Sequence, residues 1–355
     1  MLRCGVAGLG RGRQFVEILS KLPDCQVVAV CDPNPAARRR LGGITAHERL
    51  DDLLDERLDI VAIISPGPVH AEQTLAALDR GVHVICETPC VYSIDEARAV
   101  VAKTRATGLK FMLAENFLWA GWLAVLREMA AEGKFGEIVY AEGDYTHDCR
   151  DLMLADADGF VPYDDRAAHP EAKPTWRATD LPPIQYCSHT LGPLLRLLGD
   201  RVTSAVCLAV AGRGAPGVVP TDLESALLET ALGGVIRLTN GFTVAQPMTF
   251  FYNVVGTRGA ARILAAGGTS IKCFTRTAGE PDAWEDLAAE LATRPDGRNP
   301  VEVMLHEFVE SVRRDAEPPI PLDESMDMTL PGIVAHDSGL RGGAKLAVPN
   351  PRDWH

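Results

Sequence analysis

The chain has 355 residues, 46% hydrophobic and 23% charged, with a formal net charge of −13. That length exceeds one ordinary core and predicts two domains. The acidic balance leaves no basic stripe for phosphates, so no nucleic-acid partner is expected; with no apolar run of about eighteen residues and no secretory leader, neither is a membrane segment, and the expected location is the cytoplasm. Residues 2–7 read as a short apolar strand running into Gly8-Leu9-Gly10-Arg11-Gly12-Arg13. Phe15, Ile18, Leu19 and Leu22 then recur at helical spacing over 14–22. A strand over 25–31 ends in Asp32-Pro33-Asn34-Pro35, and a helix over 36–41 follows. Strands over 58–64, 82–86 and 110–114 alternate with helices over 70–80 and 93–107. Such alternation specifies a parallel sheet covered on both faces.

The first turn carries chemistry. Glycines let the backbone approach a pyrophosphate, and the helix behind them offers unpaired N–H groups and a positive dipole end. Arg13 stands where the third glycine of G-x-G-x-x-G would be, so the motif is incomplete. Asp32, at the end of the next strand, strengthens the reading: a carboxylate there accepts from the ribose hydroxyls and repels a 2′-phosphate. The expected cofactor is NAD, with Arg38, Arg39 and Arg40 the groups that would favour NADP instead.

Three further segments are Ser65-Pro66-Gly67-Pro68-Val69-His70, Gly81-Val82-His83-Val84-Ile85-Cys86-Glu87-Thr88-Pro89 and Ala114-Glu115-Asn116. They resemble the Gfo/Idh/MocA oxidoreductases, whose patterns run T-P-x-x-x-H, G-K-H-V-x-x-E-K-P and E-N. The resemblance covers nearly the whole chain and includes the pair Trp176-Arg177. It implies that Ser65, His70, Glu87, Asn116, Trp176 and Arg177 line the cofactor site, beside Gly8, Gly10, Arg11, Gly12, Arg13, Asp32 and Thr88. Two positions depart from it. The family's E-K-P lysine is Thr88, and its D-x-x-x-H signature is Gln185-Tyr186-Cys187-Ser188-His189, which keeps only the histidine. Glu115-Asn116, Tyr145-Thr146-His147, Thr175-Trp176-Arg177 and the segment from Tyr186 to Pro193 are similar to the branch containing NAD-dependent glycosidases of the α-N-acetylgalactosaminidase type and sugar 3-oxidases.

A strand over 136–147 points Tyr145 and His147 the same way. Tyr186 and His189, three apart at the start of a helical stretch, also share a face. With Glu115 these residues are the expected catalytic set for one cleft. Histidine suits proton removal from a hydroxyl because its ordinary pKa is near neutrality. Either His189 or His147 fits that role. Tyrosine suits removal of a C2 proton only where a neighbouring cation lowers its pKa. His147-Asp148-Cys149 alternates across both faces of a strand, so no metal site is expected. No role is apparent for His47, His83, His306, His336 or His355, and the nine scattered cysteines read as reduced thiols, several of them in the core.

The acidic segment 151–173 reads as a solvated loop or as a lid over the sugar. Strands over 204–211, 225–232, 235–240, 250–256, 261–264 and 270–274 predict an open, mostly antiparallel sheet with one face in an oligomer interface. Helices near 301–314 and 324–339 are expected to pack back on the first domain. The expected organisation is a doubly wound Rossmann domain over 1–118 and an α+β domain for substrate and oligomerisation over 119–355. The expected function is NAD-dependent oxidation of a sugar or glycoside hydroxyl, at C3, by a homodimer or homotetramer. A redox-neutral glycosidase or lyase that retains its NAD is the alternative, and a non-catalytic dinucleotide sensor is a third reading.

Overall fold

Leu2–Ala7 (β1), Cys25–Cys31 (β2), Thr45–His47 (β3), Ile60–Ile63 (β4), His83–Cys86 (β5) and Phe111–Leu113 (β6) form one six-stranded sheet in the order β3-β2-β1-β4-β5-β6. Every pairing is parallel. All four residues of β4 are buried, as a strand between two helical layers requires. The strand order reverses between β1 and β4, and their carboxyl ends carry Gly8 and Ser65. That is the crevice in which open α/β sheets bind ligands. β3, a three-residue edge strand with no buried residue, is absent from the sequence-based expectations.

The computed structural model describes residues 1–354 apart from 158, 266–268, 278–281, 289–292 and 295; His355 is outside the described residues. The chain divides into two compact units. The first is Met1–Asn116 with Asn299–Asp327 and the C-terminal segment from Asn350; the second is Phe117–Arg298 with Met328–Pro349. The first unit thus takes in two stretches that the sequence reading assigned to the second domain. Helix Pro300–Arg313 packs on helix Gly12–Leu19, and helix Leu322–Asp327 packs on β6. There the Ser325 hydroxyl accepts the Leu113 N–H at 3.1 Å. Arg98 lies 4.7 Å over the Trp354 ring and anchors the chain end. The expected helix over 324–339 is two helices. The later one, Leu330–Leu340, belongs to the second unit and packs on its sheet.

In the second unit Ile138–Thr146 (β7) lies inside a nine-stranded sheet. Leu154–Ala155 (β8), Phe160–Val161 (β9) and Lys173–Pro174 (β10) make a small separate sheet in the order β10-β8-β9. The large sheet continues with Val202–Ala211 (β11), Thr221–Thr230 (β12), Val235–Gly241 (β13), Thr249–Gly256 (β14), Gly259–Ala265 (β15), Thr269–Thr275 (β16), Glu285–Leu287 (β17) and Leu346–Ala347 (β18). Its order is β17-β16-β15-β14-β7-β13-β12-β11-β18. The β7–β13 pairing is parallel and the others are antiparallel. Asp222, Glu224, Ala226, Leu228 and Thr230 alternate inward along β12, the period-2 pattern of a sheet with one covered face. Helices Ser188–Leu198 and Leu330–Leu340 pack on this sheet. All nine cysteines are free thiols, eight of them buried. Among the described residues no helix is long and apolar enough to cross a membrane.

Candidate active site

Gly8 has φ +87°, and a Cβ there would lie 2.5 Å from the Ile64 carbonyl oxygen. The fold itself requires that glycine. Gly10 differs: a Cβ there would meet nothing within 4 Å. Its missing side chain leaves open space above the turn, as a pyrophosphate lying against the backbone needs. Helix Gly12–Leu19 behind the turn has no side-chain cap and no acid in its first turn, so its N-terminal N–H groups and dipole suit an anion. Asp32 accepts the Leu9 N–H at 2.7 Å on Oδ2 and the Asn34 N–H at 2.8 Å on Oδ1. Each carboxylate oxygen keeps a lone pair for a ribose hydroxyl. Arg38 is engaged beside it: Nη1 donates to the carbonyls of Asp32 at 2.6 Å and Pro33 at 3.0 Å, and Nη2 lies 3.6 Å from Glu48. Arg13, Arg39 and Arg40 are exposed. These residues fit a bound NAD.

Around that turn the sequence-predicted residues stitch loops together. Arg11 Nε donates to Glu87 Oε2 at 2.6 Å, and Glu87 Oε1 accepts the Thr88 N–H at 3.0 Å. The Ser65 hydroxyl donates to Gln73 at 2.7 Å. His70 is 1% exposed, with Nδ1 2.8 Å from the Pro89 carbonyl and Nε2 2.8 Å from the Ser65 carbonyl. It joins the ends of β4 and β5, and burial holds its pKa below the ordinary value. Asn116 is half-buried at the start of the 3-10 helix Asn116–Trp119.

In the second unit Tyr145, His147, Tyr186 and His189 meet in one aromatic cluster. Tyr145 is its hub, with ring centroids 6.0 Å from His189, 6.2 Å from Tyr186 and 6.2 Å from His147. Tyr186 and His189 meet edge-to-face at 5.1 Å. Phe250 stacks on Tyr145 at 4.3 Å, Phe117 lies 4.9 Å from His189, and Phe242 closes on both tyrosines at 5.5 and 5.9 Å. The sheet sets this arrangement: Tyr145 on β7 pairs with Phe250 on β14 and with Asn240 on β13. Gly143, two residues before Tyr145, lets helix Ser188–Leu198 settle on the strand, since a Cβ there would be 2.9 Å from Thr190 Cβ. Pro193 inside that helix has no N–H for the His189 carbonyl. The hydroxyl of Tyr252, fully buried on β14, donates to that carbonyl at 2.7 Å.

The segment 151–173 has its own small core. Met153, Leu154, Val161 and Tyr163 are buried with Phe242, and Tyr145 and Tyr186 pack against them. His169 Nδ1 lies 2.8 Å from Asp156 Oδ2. Trp176 and Arg177 open the short helix Trp176–Thr179, with the guanidinium 4.6 Å over the indole and 6.0 Å from Phe160. Asp148 is gripped by Arg150 through Nε at 2.9 Å and Nη2 at 2.6 Å. That fork holds its carboxyl below the usual range and occupies both oxygens.

Glu115 is the remaining member of the expected catalytic set. It belongs to the first unit, just after β6, and is fully buried. The sequence reading missed Phe117, Phe242 and Phe250, which wall the cluster, and Asn240 and Tyr252, which hold its backbone. The proline inside an otherwise helical run was the available signal for an unmatched carbonyl.

The fold and the glycine turn define an NAD-binding Rossmann protein. Residues 2–115 match the family model described as "Oxidoreductase family, NAD-binding Rossmann fold". That stretch is similar to the nucleotide-binding domain of the Gfo/Idh/MocA family. Two relatives named as glycosyl hydrolase family 109 proteins are each 26% identical. One, from Streptomyces niveus, matches over 98% of this chain and 77% of its own length; the other, from Porphyromonas gingivalis, over 73% and 59%. This chain thus spans less than two thirds of the latter relative. A levoglucosan dehydrogenase in complex with NADH and L-sorbose superposes with TM-score 0.80 at 16% identity, covering 99% of this chain and 100% of that one. A UDP-N-acetylglucosamine 3-dehydrogenase from Acidithiobacillus ferrooxidans gives 0.72 at 18%, covering 95% and 97%. These two share its fold.

Proposed function

We propose that the protein oxidises a hydroxyl of a sugar or glycoside, at C3, with NAD⁺ as hydride acceptor. The observation that carries the reading is the union of two Tyr/His pairs in one aromatic cluster, in a chain whose other unit carries the NAD turn. NAD⁺, when bound at Gly8, Gly10 and Asp32, supplies the capacity to accept a hydride. His189 takes the hydroxyl proton, and Tyr186, edge-on to it, orients the substrate oxygen. His147 is the second histidine within reach of Tyr145. Glu115 and the pair Trp176-Arg177 complete the proposed set. Thr88 carries no ionisable group, so proton removal falls to histidine here.

A second reading is favoured by the relatives named glycosyl hydrolase family 109: the same oxidation opens a redox-neutral cleavage. A C3 ketone acidifies the C2–H, Tyr145 removes that proton, and the C1 substituent leaves; water then adds at C1 as C2 regains a proton, and C3 regains the hydride, so the overall reaction is a hydrolysis. One experiment separates the two. The purified protein, with its bound nucleotide measured by absorbance, is incubated with a panel of glycosides. Reduction of added NAD⁺ with a keto-sugar product supports net oxidation. Release of aglycone without external NAD removes that reading in favour of cleavage, and inertness of the whole panel removes both.

Leu208, Val210, Leu227 and Leu264 are exposed on the nine-stranded sheet, which supports a homo-oligomer formed through it. Light scattering at micromolar concentration tests that, and a monomer refutes it.

A further inference from the structure

We infer that Glu224 and Asn240, with His336 behind them, position the Tyr186–His189 segment for the proton transfer proposed above; the inference rests on that reading. Glu224 on β12 and Asn240 on β13 are cross-strand partners, and Asn240 pairs in turn with Tyr145 on β7. All three therefore stand in one row across the sheet. The side chains of Glu224 and Asn240 are both fully buried.

Each reaches the backbone of the short 3-10 helix Pro183–Tyr186. Its N-cap residue, Pro182, has no side chain able to cap, and no local cap bond is made. Glu224 Oε2 caps it from the sheet instead, accepting the Ile184 N–H at 3.0 Å. Asn240 Nδ2 donates to the Tyr186 carbonyl at 3.0 Å. Glu224 Oε1 lies 2.7 Å from His336 Nδ1, on helix Leu330–Leu340. Gly332 of that helix sits against the same turn, where a Cβ would be 2.6 Å from the Ile184 carbonyl oxygen. Cys187 Sγ donates to the Met328 carbonyl at 3.7 Å. The turn is held from the sheet on one side and from this segment on the other.

A fully buried carboxylate is costly to keep unless its hydrogen bonds are complete, and an apolar side chain of similar volume is often as stable. What the acid supplies that an apolar residue does not is direction. Its two acceptors set the Ile184 N–H and so the register of Tyr186 and His189. Reacting groups held a fraction of an ångström off lose rate, not affinity. None of the three residues enters the chemistry; they act through the turn.

The test compares Glu224→Gln, Glu224→Leu and His336→Ala with the parent enzyme. Readouts are kcat and KM on a turned-over glycoside, NAD affinity, thermal midpoint, and hydrogen exchange of residues 183–191. The amide of Glu224→Gln keeps an acceptor for Ile184 and, with the imidazole proton on Nε2, a donor for His336, so kcat stays within about threefold of the parent. Glu224→Leu strands a buried N–H, and kcat falls about a hundredfold while KM and NAD affinity hold. His336→Ala falls about tenfold. Parent-like kcat in Glu224→Leu, a Gln variant as damaged as the Leu variant, or a loss confined to KM overturns the inference. Should Glu224→Leu fail to fold, His336→Ala decides it: a kcat loss at parent KM and NAD affinity upholds it, and parent kcat overturns it. If the parent turns over no glycoside, the functional reading fails separately. Exchange at 183–191 then judges the brace: acceleration in the Leu variant alone supports it, and equal exchange in all variants overturns it.

Discussion

The hydroxyl of Tyr252 donates to the carbonyl of His189, and the need for that bond is written into the helix itself. Pro193 stands four residues after His189 and has no N–H to return, so a buried side chain on β14 takes the place of the helical bond. Tyr252→Phe removes that donor and costs about 1–3 kcal/mol. The thermal midpoint should fall measurably. Adding Pro193→Ala restores a backbone N–H, and the double variant should recover part of the loss. A double variant no more stable than Tyr252→Phe alone refutes the argument.

Gly8 and Gly10 look alike in sequence but answer to different demands. Gly8→Ala meets both a left-handed φ and the Ile64 backbone, so it should lower the thermal midpoint even without cofactor. Gly10→Ala meets nothing within 4 Å. It should leave the midpoint unchanged and raise the Kd for NAD about tenfold or more, by lifting the pyrophosphate off its backbone donors. Calorimetry and nucleotide titration on both variants separate the two; equal loss of stability in both refutes the distinction.

Asp32 is fixed by two backbone N–H groups, while Arg38 is drawn onto the carbonyls of Asp32 and Pro33. Asp32→Ala removes the acceptor for the ribose hydroxyls and the repulsion of a 2′-phosphate together. NAD affinity should fall about tenfold while NADP affinity rises toward it. Titration with each nucleotide checks this, and a parent protein that already binds NADP more tightly sinks the ribose argument.

The first unit was largely legible because its signals are local. Glycines after a strand, an acid at the end of the next, and alternating apolar runs specify the sheet before any long-range contact is known. In the second unit the strands and the Tyr145/His147 and Tyr186/His189 pairs were legible from period. Asn240 and Tyr252 were not, because their partners lie 54 and 63 residues away in the chain and only the strand register brings them together. His336 read as a histidine without a role for the same reason: its carboxylate partner is 112 residues distant. Pro300–Arg313 packs on the first unit as its position suggests, whereas Leu330–Leu340 packs on the second unit's sheet, because apolar residues along a helix do not name the surface that covers them.

His189 and Tyr145 carry different parts of the proposed chemistry, and substitution should separate them. His189 is 7% exposed and ringed by Phe117, Tyr145, Tyr186 and Phe250. His189→Ala removes the group assigned to the hydroxyl proton, so oxidation and cleavage should both fall by about 10²-fold or more with NAD still bound. Tyr145→Phe keeps the ring that stacks on Phe250 and deletes only the phenol. If the redox-neutral reading holds, this variant should still exchange hydride with bound NAD on adding a glycoside, yet release no aglycone. If net oxidation is the whole reaction, Tyr145→Phe should keep most of its turnover. Full activity in His189→Ala, with its fold and NAD content intact, would remove this histidine from the mechanism and pass the role to His147, the other histidine beside Tyr145.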